Sequence, residues 1–179
     1  MVPTQSSQPT SNNSLLQPTY QNRLRVIGYH LDTEHFREAA ILEIEGGFIV
    51  RAQAKKGKRA EALEFPDSQF VQLMQGAIDD RGHGAGYDHH SSVLPTGYQD
   101  FFRALGFLLD NQAAIGVTIV ELESHFLVAG LEPSNSIAGH NAFRRFERYL
   151  TRDNIQQLLD DAFNRRNETR KRGGLFGIF

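Results

Sequence analysis

Residues 41–50 read ILEIEGGFIV and residues 119–128 read IVELESHFLV, 78 positions further on. The match extends without a gap on both sides. Residues 25–54 align with 103–132 with nine identities in thirty positions, among them Gly28/Gly106, Leu31/Leu109, Asp32/Asp110, Ile41/Ile119, Glu43/Glu121, Glu45/Glu123, Phe48/Phe126 and Val50/Val128. Random pairing at ordinary residue frequencies gives roughly two. After a seven-residue shift, FVQLMQGAIDDR (70–81) aligns with IQQLLDDAFNRR (155–166), which puts the insertion within 134–143. The pattern is that of an internal duplication, and a repeat of this kind constrains the fold before any single motif does.

Aligned copies can be read together. Leu24, Ile27 and Leu31, with Phe102, Leu105 and Leu109, recur at helical spacing and predict an opening helix in each half, with Thr96 as the N-cap of the second. Two strands rich in β-branched residues follow. Gly46-Gly47 reads as a two-residue hairpin turn in the first copy, and Ser124-His125 as a looser one in the second. A third strand is expected at 62–65 and 146–150, although Phe143, Phe146 and Leu150 also fit a helical period. The closing helices have Asp67/Ser68 and Thr151/Asp153 as capping candidates, and Phe70, Leu73, Met74 and Ala77 as a buried stripe.

A unit of about 60 residues buries only a marginal core. Two such units solve this by packing about a twofold axis, as a homodimer would. The expected fold is therefore α+β: two tandem α-β-β-β-α repeats packed as a pseudo-twofold, dimer-like body with an antiparallel sheet. Double-stranded-RNA-binding domains share the element order. Their second helix opens with lysines, whereas the matching segments here read DSQFVQLM and RDNIQQLL, so the similarity is one of topology and does not carry function.

The repeats are expected at 19–82 and 98–167, joined by a Gly/His-rich linker at 83–97. Residues 1–18, rich in Ser, Thr, Gln, Asn and Pro, read as a disordered arm. Residues 168–179 read as a tail, first basic and then hydrophobic, with a Gly173-Gly174 hinge.

Nineteen basic against twenty-one acidic residues give a net charge of −2, so no global field gathers nucleic acid or anionic membrane. The chain has no cysteine, which excludes thiolate chemistry and Cys-ligated zinc and fits a reducing compartment. Apolar runs such as 104–109 are far shorter than the ~20 residues of a membrane span. The first residues lack a secretory pattern. A cytoplasmic location and no cofactor are expected.

Four features are candidates for function. In the first hairpin, Leu42, Ile44 and Ile49 share one sheet face, and Glu43, Glu45, Phe48 and Val50 the other; Val120, Leu122 and Leu127 oppose Glu121, Glu123, Phe126 and Val128 in the second. The purely apolar face is expected under the helices. The mixed face, with Phe48 and Phe126, is expected to meet partners, or else to gather four carboxylates for metal or acid–base work.

His83, Asp88, His89 and His90 supply ligand types for a metal within eight positions, but lack the i, i+4 spacing that fixes two rings on a helix, so a linker is the simpler account. Lys55, Lys56, Lys58 and Arg59, with Arg144, Arg145 and Arg148, are basic clusters without interleaved stacking aromatics. Leu175, Phe176, Ile178 and Phe179 form an apolar cluster that needs covering, by the protein's own surface or by a partner.

The expected role is a non-catalytic protein-binding adaptor, chaperone-like or assembly module, contacting another protein or itself through the tail and the mixed face. An accessory nucleic-acid binder is the alternative, and a His/carboxylate metal-dependent enzyme a third.

Overall fold

The structure is a computed structural model that describes residues 16–54, 59–79, 91–134 and 142–174. In chain order it contains α1 (Tyr20–Thr33), β1 (Phe36–Ile44), β2 (Gly47–Ala54), β3 (Ala60–Pro66), a 3₁₀ turn (Asp67–Gln69) and α2 (Phe70–Asp79). There follow α3 (Tyr98–Asn111), β4 (Ile115–Glu121), β5 (His125–Ser134), β6 (Ala142–Thr151) and α4 (Arg152–Gly174). The six strands make one antiparallel sheet in the order β3-β2-β1-β4-β5-β6.

Helices α1 and α3 pack antiparallel and unusually close. A Cβ on Gly28 would lie 2.6 Å from the Cα of Gln99, and one on Gly106 would lie 2.5 Å from the Cα of Gln21. Only glycine lets the two backbones approach so far. That approach brings each helix's late aspartate to the other's first turn. Asp32 accepts the amide protons of Tyr98 and Gln99, both at 2.9 Å, and Asp110 accepts those of Tyr20 and Gln21 at 2.8 and 2.9 Å. These amides have no acceptor within their own helix, and a carboxylate at a helix N-terminus also complements the macrodipole.

The N-cap of α3 is Gly97, not Thr96, and Gly97 has no side chain to cap with. Asp32 takes over that role, which is why local capping signals misplace the start by one residue. In α1 the cap is Thr19, whose hydroxyl accepts the Asn22 amide. Leu16 packs on the core just before it, while residues 1–15 of the expected arm lie outside the described residues.

β1 and β4 meet at the centre, with Ile41 directly opposite Ile119. Each of these strands carries a β-bulge, between Arg37 and Ala40 and between Ile115 and Thr118, where Glu38 and Gly116 adopt positive φ of 54° and 62°. A bulge leaves an amide outside the ladder. Here the amides of Ala39 and Val117 are accepted by Glu121 at 3.0 Å and Glu43 at 2.7 Å, each from the neighbouring strand.

All four helices lie on one face of the sheet. Leu24, Ile27 and Leu31 of α1, Met74 of α2, Phe101, Phe102 and Leu105 of α3 and Ile155 of α4 join Ile41, Phe48, Val50, Ile119, Phe126 and Val128 in one core. Phe101 and Phe126 pack with ring planes tilted at 54° and centroids 4.7 Å apart, and Tyr20 meets Phe48 edge-on at 6.3 Å. The stripe predicted for α2 holds: Phe70, Met74 and Ala77 are buried and Leu73 packs beside them.

Several expectations change. The hairpin turn residues are Glu45 and Gly46, since Ile44 pairs with Gly47; Gly47 opens β2, where a Cβ would lie 2.4 Å from the Phe65 carbonyl oxygen. Residues 142–151 are strand, so the helical alternative there fails. Asp67 does not cap a helix but pairs with Arg23 at 2.9 Å. Helix α4 continues through Gly174, past the end expected at 167, and Gly173-Gly174 is helical rather than a hinge. No described helix is long and apolar enough to cross a membrane.

Candidate functional site: an open sheet face

The division of strand residues into two faces follows the sequence, but the two faces are exchanged. Glu43, Phe48 and Val50, with Glu121, Phe126 and Val128, turn toward the helices; Phe48 and Phe126 are 1% and 0% exposed and belong to the core, not to a partner surface. A carboxylate on a strand ordinarily marks the solvent side. Here Tyr20 of α1 and Tyr98 of α3 reach down from the helix layer and donate their hydroxyls to Glu43 and Glu121. Each carboxylate thus accepts hydrogen bonds from a phenolic hydroxyl and from a bulge amide on the same Oε2. Partly buried acids are tolerated when paired in this way.

These acids are structural in geometry. Burial pushes the hydroxyl of Tyr20 up, helped by its hydrogen bond to Glu43; burial and then the charge of Glu121 do the same for Tyr98. A sequence signal marks this arrangement: the YQ dipeptide of Tyr20-Gln21 recurs 78 positions further on as Tyr98-Gln99.

Glu45 and Glu123 sit exposed at the two hairpins and do not converge with Glu43 and Glu121.

With the mixed face turned inward, the apolar face points out. Cross-strand pairing lays out two rows on it. One runs Glu64, Ile49, Leu42, Thr118, Ala129 and Glu147; the next runs Ala62, Arg51, Ala40, Val120, Leu127 and Tyr149. Ile44 and Leu122 continue the apolar stripe at its two ends. Leu42, Ile44, Leu122 and Tyr149 are 49%, 41%, 40% and 59% exposed, and among the described residues no element buries them. Charged residues of both signs, Arg51 and Glu64 on one flank and Arg145 and Glu147 on the other, border the stripe.

Of the basic clusters, Arg59 is exposed, Arg144 pairs with Glu132 at 2.8 Å, and the Arg148 guanidinium lies 5.7 Å from the Phe146 ring centroid. Arg144 and Arg148 fall on one sheet face and Arg145 on the other, because strand residues alternate. They do not form one phosphate-binding surface. Lys55, Lys56 and Lys58, the candidate ligands His83, Asp88, His89 and His90, and the tail residues Leu175, Phe176, Ile178 and Phe179 lie outside the described residues. Among the described residues no group of three or more His, Asp or Glu is placed to hold a metal ion.

No family model, curated protein or solved structure matches the chain.

Proposed function

We propose that this chain is a protein-binding module: an internally duplicated body whose halves pack about a pseudo-twofold axis and present one open, apolar sheet face to a partner polypeptide. The duplication is supported by contacts that recur with roles exchanged at positions 78 apart. Asp32 meets Tyr98 as Asp110 meets Tyr20, and Glu121 serves Ala39 as Glu43 serves Val117. Ile41 and Ile119, also 78 positions apart, pair directly across β1 and β4.

The observation that carries the binding role is the exposure of Leu42, Ile44, Leu122 and Tyr149 on one continuous face. Contiguous exposed apolar surface rimmed by charge is the signature of an interaction site. An open apolar sheet face bordered by charge suits the apolar centre and polar rim of a protein interface.

The test is capture from cell extract by wild-type protein and by the variant Leu42→Lys/Leu122→Lys, with sedimentation velocity on each. A partner, or self-association, that wild type shows and the folded variant loses supports the reading. Identical capture and identical sedimentation by the two proteins overturn it.

A further inference from the structure

The sheet has two edges, β3 and β6, and they differ in kind. An edge strand presents a row of amides and carbonyls that another strand can take up. β3 is poorly suited to such pairing. It has seven residues, ends in Pro66, and carries Glu61 and Glu64 with no basic residue, so no pairing with its own copy can oppose acid with base.

β6 lacks these protections. It runs for ten residues without proline, pairs with β5 along its whole length, and among the described residues no strand adjoins its other side. Phe143, Arg145, Glu147 and Tyr149 alternate along it on the open sheet face, and all four are exposed.

A strand that pairs with its own copy about a twofold axis is antiparallel and centred on one residue. Centred on Phe146, the pairing puts Arg145 opposite Glu147 of the second copy and Phe143 opposite its Tyr149, each twice. Opposite charges and aromatic pairs in direct cross-strand position both stabilise a ladder. Moving the centre by one residue either way sets Arg145 against Arg145, or Glu147 against Glu147, and like charges there destabilise. On the helix side the favoured register brings Arg144 opposite Arg148 of the copy. Glu132 already answers Arg144 at 2.8 Å, and the Arg148 guanidinium rests 5.7 Å from the Phe146 ring centroid.

We infer that two copies of this chain join edge to edge through β6, in the antiparallel register centred on Phe146. Charge complementarity selects both the occupant and the register. Residues directly opposite in such a ladder project to the same face, so the helices of both copies lie on one side and the two open faces become one continuous surface. The inference stands on the edge strand and does not require the open face to meet a partner.

The experiment is sedimentation velocity on the full-length chain over a wide range of concentration. Wild type is expected to shift from monomer toward dimer as concentration rises, because a single strand pair is a small interface. Arg145→Glu and Glu147→Arg each set like charges opposite one another twice, and each is expected to weaken self-association by about tenfold or more. Equimolar mixing of the two variants restores association, since every pair of positions 145 and 147 between unlike chains again joins acid and base. The exchanged variant Arg145→Glu/Glu147→Arg associates with itself as wild type does. Both positions are exposed, and a melting temperature matching wild type confirms that each variant is folded.

A wild-type chain that stays monomeric at every concentration overturns the inference. So do single variants that associate as wild type does, or a mixture that restores nothing. Association lost in Leu42→Lys/Leu122→Lys but kept in the β6 variants puts the contact on the open face, which overturns this inference and supports the reading above. Association lost only in the β6 single variants supports the edge contact and leaves the open-face reading to its own test.

Discussion

Asp110 and Tyr20 lie 90 residues apart in the chain and meet at 2.8 Å, the carboxylate of the first accepting the helix-opening amide of the second. Asp32 does the same for Tyr98. The two helices thus cap each other, so their packing and their termination form a single structural event. Asp32→Ala and Asp110→Ala are each expected to lower stability by about 1–3 kcal/mol, because two helix-opening amides lose their acceptor at once. Asp→Asn, which keeps one oxygen acceptor, should lose less. Urea denaturation of the four variants checks both the size and the order of the effects.

Glycine tolerance should differ sharply between helices. Gly76 of α2 faces open space, so Gly76→Ala is expected to stabilise by up to about 1 kcal/mol through helix propensity. Gly28→Ala and Gly106→Ala push a methyl group into the partner backbone and should destabilise by about 1–3 kcal/mol despite the same propensity gain. Thermal melts of the three variants decide the matter; equal responses would count against the close α1–α3 crossing.

Tyr98, which is buried, and Tyr20, which is half-buried, predict alkaline lability. The folded state holds the hydroxyls of Tyr20 and Tyr98 protonated well above the ordinary tyrosine range, whereas in the unfolded chain each titrates near about 10. Above that pH the folded state binds more protons than the unfolded one. Their contribution to stability is therefore complete below about pH 10 and diminishes as pH rises beyond it. The variant Tyr20→Phe/Tyr98→Phe should be less stable at neutral pH yet lose stability less steeply in alkali. Melting temperatures measured across the alkaline range would show the flattened slope; identical slopes would refute the assignment.

The exchange of sheet faces has a direct mutational consequence. Phe48→Ala removes a side chain that is fully enclosed and should cost about 3–5 kcal/mol. Leu42→Ala removes a half-exposed one on the opposite face and should cost well under about 1.5 kcal/mol. If the two losses in chemical denaturation are similar, the outward orientation of Leu42 is wrong.

Much of the element pattern was legible in the chain itself. The helical spacing of Leu24, Ile27 and Leu31 and of Phe102, Leu105 and Leu109 located α1 and α3, and period-two alternation sorted β1, β2, β4 and β5 into two faces. Both signals are local, since periodicity follows from backbone geometry within one element. The side that faces the helices was not legible by the same means. An all-apolar set such as Leu42, Ile44 and Ile49 looks like core, and a set containing Glu43 looks like surface. The choice depended on hydrogen-bond partners tens of residues away: the hydroxyl of Tyr20, the amide of Val117, and their counterparts around Glu121.

The edge position of β6 was hidden for a related reason. It depends on the pairing of β1 with β4 and of β5 with β6, and no spacing rule gives that order. The amino-acid sequence by itself determined the helices, the strands and the two-sided character of the sheet, because those depend on residue size, polarity and period within a short window. The tertiary structure alone decided which sheet face is buried, where α1 and α3 find their caps, and which strands form the sheet edges. Each of those outcomes rests on long-range pairing of polar groups, whose cost when buried alone and stability when paired are settled only once the elements have come together.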